Sequence, residues 1–305
     1  MSKLGLALGG GGARGLAHIG VLKVLDDEGI KVSSITGCSM GSIVGGLYAH
    51  FGNSYKVEEF ISNAIEDPKF ESLNFDALNK NTNHHDKNYF EQFINFVGER
   101  LHAIKAMGRL SYFDENVSDE IYYMIPDVTI ESLGIRFSAV ATDLISGKEI
   151  NFTKGSLRTA LKASSAIPGI FPPVEFEDKL LVDGSASESV PAGKVKELGA
   201  DRVLAVDVTR SLNTVHPTNN VIDILYRTED ITSYHLSQLR LQEADLILQP
   251  DVKKLSWADF DKAPEIIKAG EITARESIDK IKKLAHRNAY ILAMGQYIKK
   301  FKEKD

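Results

Sequence analysis

The segment Gly37-Cys38-Ser39-Met40-Gly41 has the spacing of a reactive serine flanked by two glycines. It lies between a predicted strand at residues 34–37 and a predicted helix at residues 40–51. Glycines at these positions permit a sharp turn from strand to helix, which lifts the serine hydroxyl above the sheet. The N-terminus of the following helix favours the negative charge that forms when a carbonyl is attacked. Ser39 is therefore a candidate nucleophile, and Gly37 and Gly41 are the glycines of its turn.

A second candidate site is the glycine-rich loop GGGGARG at residues 9–15. It follows a predicted strand and precedes a predicted helix at residues 15–27, so consecutive backbone N–H groups can face one anion. Gly10, Gly12 and Gly15 match the dinucleotide pattern G-x-G-x-x-G, but the second strand does not end in the acidic residue which that pattern requires. The Gly-Lys-Ser/Thr ending of a P-loop is also missing. Nucleotide binding is therefore disfavoured, and an oxyanion is the better ligand.

A reactive serine needs a base, and the chain offers histidines and a carboxylate. His216, His235 and His286 follow Ser39 as in an α/β-hydrolase, but they lie in a polar stretch and in helical patterns. Only residues 1–36 precede the serine turn, which is too short for the strands that usually come first in that fold. Asp183 follows a short apolar strand and precedes a glycine, where open α/β sheets gather functional groups. An Asp-Gly pair is also a common turn.

The elements that must position these residues alternate between strand and helix, which predicts an α/β fold with a mostly parallel sheet. Residues 53–126 depart from this alternation, so we expect a helical insertion there. Further strands are predicted at residues 3–8, 135–142, 149–153, 179–182 and 202–208. From about residue 215 to residue 305 the sequence predicts helices, including a long one at 273–304, with an edge or late strand at 245–248. We expect a single domain over residues 1–305, with its core at about 3–210.

The composition describes a mildly acidic globular protein. The 305 residues include 36 Lys+Arg and 42 Asp+Glu, which gives a formal net charge of −6. Hydrophobic residues at 43% and charged residues at 26% exclude the collagen-like and disordered classes. The acidic balance disfavours nucleic acid as a partner, because neutralising phosphates requires a basic surface.

The single cysteine and the hydropathy pattern indicate where in the cell the protein is expected. Cys38 alone excludes an intrachain disulfide and a multi-thiolate metal site, and it fits a cytoplasmic protein. No segment approaches the ~18 apolar residues of a membrane span, so we expect a protein that is soluble or touches membranes peripherally. Next to the candidate serine, Cys38 is expected to be buried and to point away from it.

Taken together, the motifs resemble the patatin-like phospholipases, in particular their short bacterial members. The resemblance rests on the glycine loop with Arg14, the turn around Ser39, and Asp183-Gly184-Ser185. The segments ASSAIP at 163–168 and FPP at 171–173 also resemble that family, so that about residues 3–210 are covered. One departure is Ser185, because the family pattern prefers Gly or Ala there, and a hydroxyl can alter the hydrogen bonding of the aspartate.

The resemblance implies a three-layer sandwich and a serine lipid acyl hydrolase with a Ser39–Asp183 dyad. The backbone N–H groups of Gly10, Gly11 and Gly12 would hold the oxyanion, and no metal or cofactor is needed. Arg14 would support the loop or contact a lipid phosphate. Fatty-acyl esters of phospholipids, lysophospholipids or acylglycerols are the implied substrates. The alternative is a regulatory protein, or one that binds a nucleotide or acyl phosphate at the glycine loop.

Aromatic residues of the insertion, together with the FPP segment, are candidates for an acyl-chain groove, although a helix core also explains them. They are Tyr89, Phe90, Phe93, Phe96, Tyr112 and Phe113.

Overall fold

The computed structural model describes residues 2–71, 73, 111, 113–209, 221–252 and 255–286. The strands within these ranges are β1 (Leu4–Leu8), β2 (Ser34–Cys38), β3 (Arg136–Asp143), β4 (Glu149–Phe152), β5 (Val174–Phe176), β6 (Lys179–Asp183), β7 (Arg202–Val206) and β8 (Leu246–Leu248). The helices are α1 (Ala17–Asp27), α2 (Met40–Phe51), α3 (Ser54–Ile65), α4 (Pro68–Glu71), α5 (Glu115–Tyr122), α6 (Leu157–Ser164), α7 (Ala192–Glu197), α8 (Val221–Leu241), α9 (Ala263–Glu276) and α10 (Ile278–His286).

The strands form one mixed sheet in the order β5-β6-β3-β2-β1-β7-β8, and β4 also pairs with β3. The central strands β3, β2, β1, β7 and β8 run parallel, whereas β4 and β6 pair antiparallel with β3 and β5 pairs antiparallel with β6. The prediction of a mostly parallel central sheet is confirmed. The prediction of an edge strand near residue 245 is also confirmed, because β8 ends the sheet.

Helices cover both faces of this sheet, as the side chains of β1 illustrate. Leu4, Leu6 and Leu8 face the larger apolar core, which α1 and α2 share. Ala7 faces the opposite side, where it belongs to a smaller cluster with Val195 of α7. Since successive residues of a strand point to opposite faces, the uniformly apolar run of β1 fits a strand buried on both sides. The result is the three-layer arrangement expected from the sequence.

The described parts of the predicted insertion are helical at both of its ends. Helix α3 begins after Asn53, whose side chain accepts a hydrogen bond from the N–H of Lys56 at 3.0 Å. Asp114 caps α5 in the same way, with 3.0 Å to the N–H of Val117. Such caps satisfy backbone donors that a helix leaves free at its start. Residues 74–110 lie outside the described ranges.

Helix boundaries differ from the sequence-based expectation at two places. The predicted helix at 15–27 begins as a 3-10 turn, Gly12–Leu16, and becomes α-helical only from Ala17. The long helix expected at 273–304 is instead divided at Ser277 into α9 and α10, and residues 287–305 are outside the described ranges. None of the helices in the described ranges is long and apolar enough to cross a membrane.

The backbones of helices α9 and α1 are in close contact. A Cβ atom on Gly20 of α1 would lie only 1.9 Å from the carbonyl oxygen of Ile267 in α9. Only glycine permits this approach of the two backbones. The C-terminal part of the chain therefore supports the helix that follows the glycine loop.

Candidate active site

Ser39 occupies the turn between β2 and α2 in a conformation that non-glycine residues rarely adopt, with φ 50° and ψ −127°. Its N–H lies 3.1 Å from the Oγ atom and 3.2 Å from the carbonyl oxygen of Ser164. Its own carbonyl accepts the N–H of Ser42 at 2.8 Å, which starts α2. Strained backbone of this kind persists only where the surroundings hold it in place. The predicted sharp turn is therefore present at Ser39.

The two glycines of this turn are required by close packing. A Cβ atom on Gly41 would lie 2.2 Å from the carbonyl oxygen of Leu8, at the end of β1. A Cβ atom on Gly37 would lie 2.4 Å from the carbonyl oxygen of Gly41. Larger residues would push α2 away from β1 and displace Ser39.

The sheet brings Asp183 to Ser39 across one intervening strand. Cys38, the last residue of β2, pairs with Val140 of β3, and the next β3 residue, Ala141, pairs with Asp183 at the end of β6. The Ser39 hydroxyl donates a hydrogen bond to Oδ2 of Asp183 at 2.6 Å. The two residues are only 5% and 2% exposed, respectively. Two groups that are 144 positions apart in the chain thus form a buried pair.

The Asp183 carboxyl group experiences two opposing influences. Burial raises its pKa, since a charged carboxylate loses solvation inside the protein. Hydrogen bonds from Ser185, Ser39 and Cys38 lower the pKa, and burial prevails. A carboxyl group with an elevated pKa is a stronger base than aspartate in water.

Cys38 is buried as predicted, but its predicted orientation is wrong. Its sulfur lies 3.8 Å from Oδ1 of Asp183, as a thiol donor, instead of pointing away from the pair. Burial, and then the neighbouring negative charge of Asp183, raise the pKa of this thiol well above its ordinary value. Cys38 therefore stays protonated and contributes a weak hydrogen bond to the carboxylate.

The glycine loop lies beside the serine turn. A Cβ atom on Gly10 would be 3.3 Å from Cβ of Ser39. The Gly10 N–H, however, donates to the carbonyl of Ser189 at 3.0 Å, so this amide already has an acceptor inside the protein. Within the described part of the chain, the N–H groups of Gly11 and Gly12 have no such acceptor. Gly11 and Gly12 therefore remain the candidate oxyanion donors of this loop.

Arg14 and Trp257 hold the glycine loop from within the protein. The Arg14 side chain is 8% exposed, and its Nε donates to the carbonyl of Gly11 at 3.3 Å. The N–H of Ala13 donates to the carbonyl of Trp257 at 2.6 Å. Of the two roles considered for Arg14, this contact favours support of the loop.

His18 is a loop support that the sequence analysis missed. It is completely buried on α1, and its Nε2 lies 2.7 Å from the carbonyl oxygen of Gly9. Because a carbonyl only accepts hydrogen bonds, Nε2 must carry the proton. Burial lowers the pKa of His18 from 6.5 to about 4, although the nearby charge of Asp207 opposes this shift. The imidazole is therefore neutral at physiological pH.

Because His18 is buried in its neutral form, we expect the folded protein to lose stability in acid. The folded-state pKa is below the unfolded value, so the unfolded chain takes up the proton first as the pH falls below 6.5. Between about pH 7 and pH 5, we expect protonation of His18 in the unfolded chain to lower the free energy of unfolding by about 2 kcal/mol. His18→Gln keeps an N–H donor and removes this cost, which urea denaturation at both pH values would measure. His50→Gln is the matched control, and equal acid losses in wild type and His18→Gln would contradict the assignment.

Serines at the end of α6 also support the site, and only the family resemblance had marked them. The Oγ atom of Ser164 donates a hydrogen bond to the carbonyl of Val140 at 2.6 Å and accepts one from the N–H of Ser39. The Ser165 hydroxyl lies 2.6 Å from that of Tyr122 in α5. The N–H of Asp183 donates to the Ala166 carbonyl at 2.9 Å. No pattern in the sequence alone identifies these contacts, because they join distant elements.

The downstream histidines do not approach Ser39 in the described part of the chain. His235 and His286 are exposed on α8 and α10, and His216 lies outside the described ranges. Of the aromatic residues predicted to line a groove, only Phe113 is described. It is buried and packs against Phe171, with 5.3 Å between the ring centroids and the rings tilted by 30°.

Several known proteins are similar to this chain in sequence. A protein of Mycobacterium tuberculosis described as an uncharacterized NTE family protein is 34% identical over 209 residues, which cover 68% of this chain and 50% of that protein. Lysophospholipase NTE1 of Yarrowia lipolytica is 30% identical over 227 residues, which cover 71% of this chain and 13% of that protein. The chain thus spans about half the length of the mycobacterial relative.

A solved structure and a family model agree with the fold. The crystal structure of VipD from Legionella pneumophila matches with a TM-score of 0.52 and 14% identity, covering 92% of this chain and 67% of VipD. At that identity the likeness concerns the fold alone. The family model for patatin-like phospholipases matches residues 6–195, which include the glycine loop, the serine turn and Asp183. The chain therefore belongs to the patatin-like phospholipase family.

Proposed function

We propose that this protein is a serine hydrolase of fatty-acyl esters in which Ser39 is the nucleophile and Asp183 is its base. The observation that carries the proposal is the 2.6 Å hydrogen bond from the Ser39 hydroxyl to Oδ2 of Asp183. A hydroxyl bonded to a buried carboxylate can lose its proton to that carboxylate as it attacks a carbonyl carbon. The dyad needs no histidine.

The reaction proceeds through an acyl-enzyme. The Ser39 oxygen forms a bond to the carbonyl carbon of the ester while its proton moves to Asp183. The tetrahedral intermediate then collapses, and Asp183 returns the proton to the departing alcohol. A water molecule that Asp183 deprotonates then attacks the acyl carbon. The bond from that carbon to the Ser39 oxygen breaks, the fatty acid leaves, and Asp183 passes the proton to the Ser39 oxygen.

The oxyanion of the intermediate is held by the N–H groups of Gly11 and Gly12. Both belong to the loop that lies beside Ser39, and Arg14, His18 and the Trp257 carbonyl fix that loop in position. One such donor contributes about 2.7–4 kcal/mol to transition-state stabilisation in comparable sites. The Gly10 amide maintains the loop by binding the Ser189 carbonyl.

An acyl chain is the favoured substrate group because an apolar cluster includes residues of the segments that hold Asp183 and the glycine loop. Ile170, Phe171, Phe113 and Trp257 belong to one buried cluster, with Ile167 packed against it. Ile167 directly follows Ala166, whose carbonyl accepts the Asp183 amide, and the Trp257 carbonyl accepts the N–H of Ala13 in the glycine loop. The family description and the lysophospholipase relative also support a lipid ester. Such substrates reside in lipid aggregates, so the proposal includes peripheral contact with a lipid surface.

Labelling with a fluorophosphonate tests the nucleophile directly. The Ser39 oxygen should displace fluoride from phosphorus and leave one phosphonyl group on the peptide that contains residue 39, which mass spectrometry locates. Asp183→Asn should slow labelling strongly, because the hydroxyl loses its base. Labelling at another residue, or a melting shift with ATP or NAD but none with the fluorophosphonate, would overturn the proposal in favour of a binding protein.

A further inference from the structure

The hydroxyl of Ser185 binds the carboxyl oxygen that Ser39 leaves free. Its Oγ donates to Oδ1 of Asp183 at 2.5 Å, and its N–H donates to the same oxygen at 2.9 Å. Oδ2 meanwhile receives the Ser39 hydroxyl. Each oxygen of the buried carboxylate thus has a short hydroxyl donor, and one of these donors has no part in the acyl transfer.

We propose that Ser185 is a positioning residue that holds Oδ1 of Asp183 and thereby sets the lowest pH at which hydrolysis proceeds. The inference rests on the proposed function and adds a residue to it. Hydrogen bonds to the ionised form of an acid stabilise that form. The Ser185 hydroxyl therefore opposes burial and extends the base form of Asp183 to lower pH. It also orients the carboxylate so that Oδ2 faces Ser39.

The groups around Asp183 allow this effect to be isolated. Cys38 of β2 donates to the carboxyl group and Tyr122 of α5 interacts with its charge, and burial raises the pKa of each, so both lie far above the acidic range. Glu188, which follows the Asp183 turn, pairs with Arg240 of α8 at 2.9 Å. Burial nevertheless raises the pKa of Glu188 to about 8. Cys38 and Tyr122 therefore stay neutral over the acid limb, and the contribution of Glu188 is common to the wild type and to variants that change only a serine of the turn.

The test is the pH profile of kcat/KM for p-nitrophenyl butyrate in Ser185→Ala. Loss of the hydroxyl should move the acid limb of the profile upward by about one pH unit, because a hydrogen bond to a charged group is removed. Ser185→Thr retains a hydroxyl and should restore the wild-type limb. A merely structural role would lower kcat/KM at every pH and leave the midpoint of the limb in place.

Ser187→Ala is the matched control. Ser187 lies on the same turn, but its hydroxyl is 2.8 Å from that of Thr142 and does not bind Asp183. Its acid limb should coincide with that of the wild type. The inference is overturned if Ser185→Ala keeps the wild-type limb, or if Ser187→Ala shifts by the same amount. Failure of the proposed function is distinguishable, since Ser39→Ala would then retain turnover.

Discussion

Ser39→Ala is expected to reduce hydrolysis of p-nitrophenyl butyrate by more than about 10³-fold, because no acyl-enzyme can form without the hydroxyl. Folding should be nearly unchanged. Alanine keeps the backbone contacts of the Ser39 N–H with Ser164, and it occupies the same strained φ of 50°. The steady-state rate and the thermal midpoint of purified protein would measure the two effects separately.

Two further variants sharpen this test. Ser39→Gly should be equally inactive but should melt at a higher temperature, because glycine relieves a positive φ that costs about 1–3 kcal/mol in other residues. Ser132→Ala removes an exposed hydroxyl that donates to the Thr129 carbonyl at 2.7 Å, far from the dyad in the chain, and should retain full turnover. Substantial turnover in purified Ser39→Ala would refute the assignment of the nucleophile.

Asp183→Asn is expected to lower kcat by about 10²- to 10⁴-fold while making the folded protein more stable at neutral pH. The carboxamide oxygen can still accept a hydrogen bond, but it cannot take the serine proton. Stability rises because a buried negative charge is removed. The pKa of Asp183 is raised on folding, so its ionisation destabilises the folded state as the pH rises above the unfolded value of 3.8.

The stability gain should therefore depend on pH in a defined direction. Urea denaturation of wild type and Asp183→Asn should give a larger difference in the free energy of unfolding at pH 8 than at pH 4, because pH 4 is close to the unfolded pKa of 3.8 and the cost of burying the ionised carboxylate is nearly absent there. Asp178→Asn is the control on the exposed turn before β6. An Asp183→Asn protein that is less stable than wild type at pH 8 would contradict a costly buried carboxylate.

The serine turn could be predicted because its determinants are local. Gly37, Ser39 and Gly41 lie within five residues, and the crowding at Gly37 comes from the backbone of Gly41 in the same turn. The strands of the parallel centre could likewise be identified from short apolar runs. The family resemblance then linked Asp183 to the serine, which no local pattern could do.

The contacts that complete the site could not be predicted, because they depend on how distant elements pair. The antiparallel register of β6 with β3 places Asp183 beside Ala141, and nothing in either strand specifies that register on its own. The same register turns Cys38 toward the carboxyl group. The hydrogen bond of the Gly10 amide to Ser189 crosses 179 positions of the chain by their numbering. Because of this hydrogen bond, the Gly10 N–H, which was expected to bind the oxyanion, already has an acceptor.

The glycine loop depends on residues beyond the matched family region, which ends at residue 195. The Gly9 N–H binds the carbonyl of Val206 in β7 at 3.0 Å, and the Ala13 N–H binds the carbonyl of Trp257. A fragment truncated at the family boundary would leave β1 as an unprotected edge strand, open to aggregation. It would also leave two loop amides without acceptors. The smallest piece of this protein worth expressing for enzymology therefore extends past Trp257.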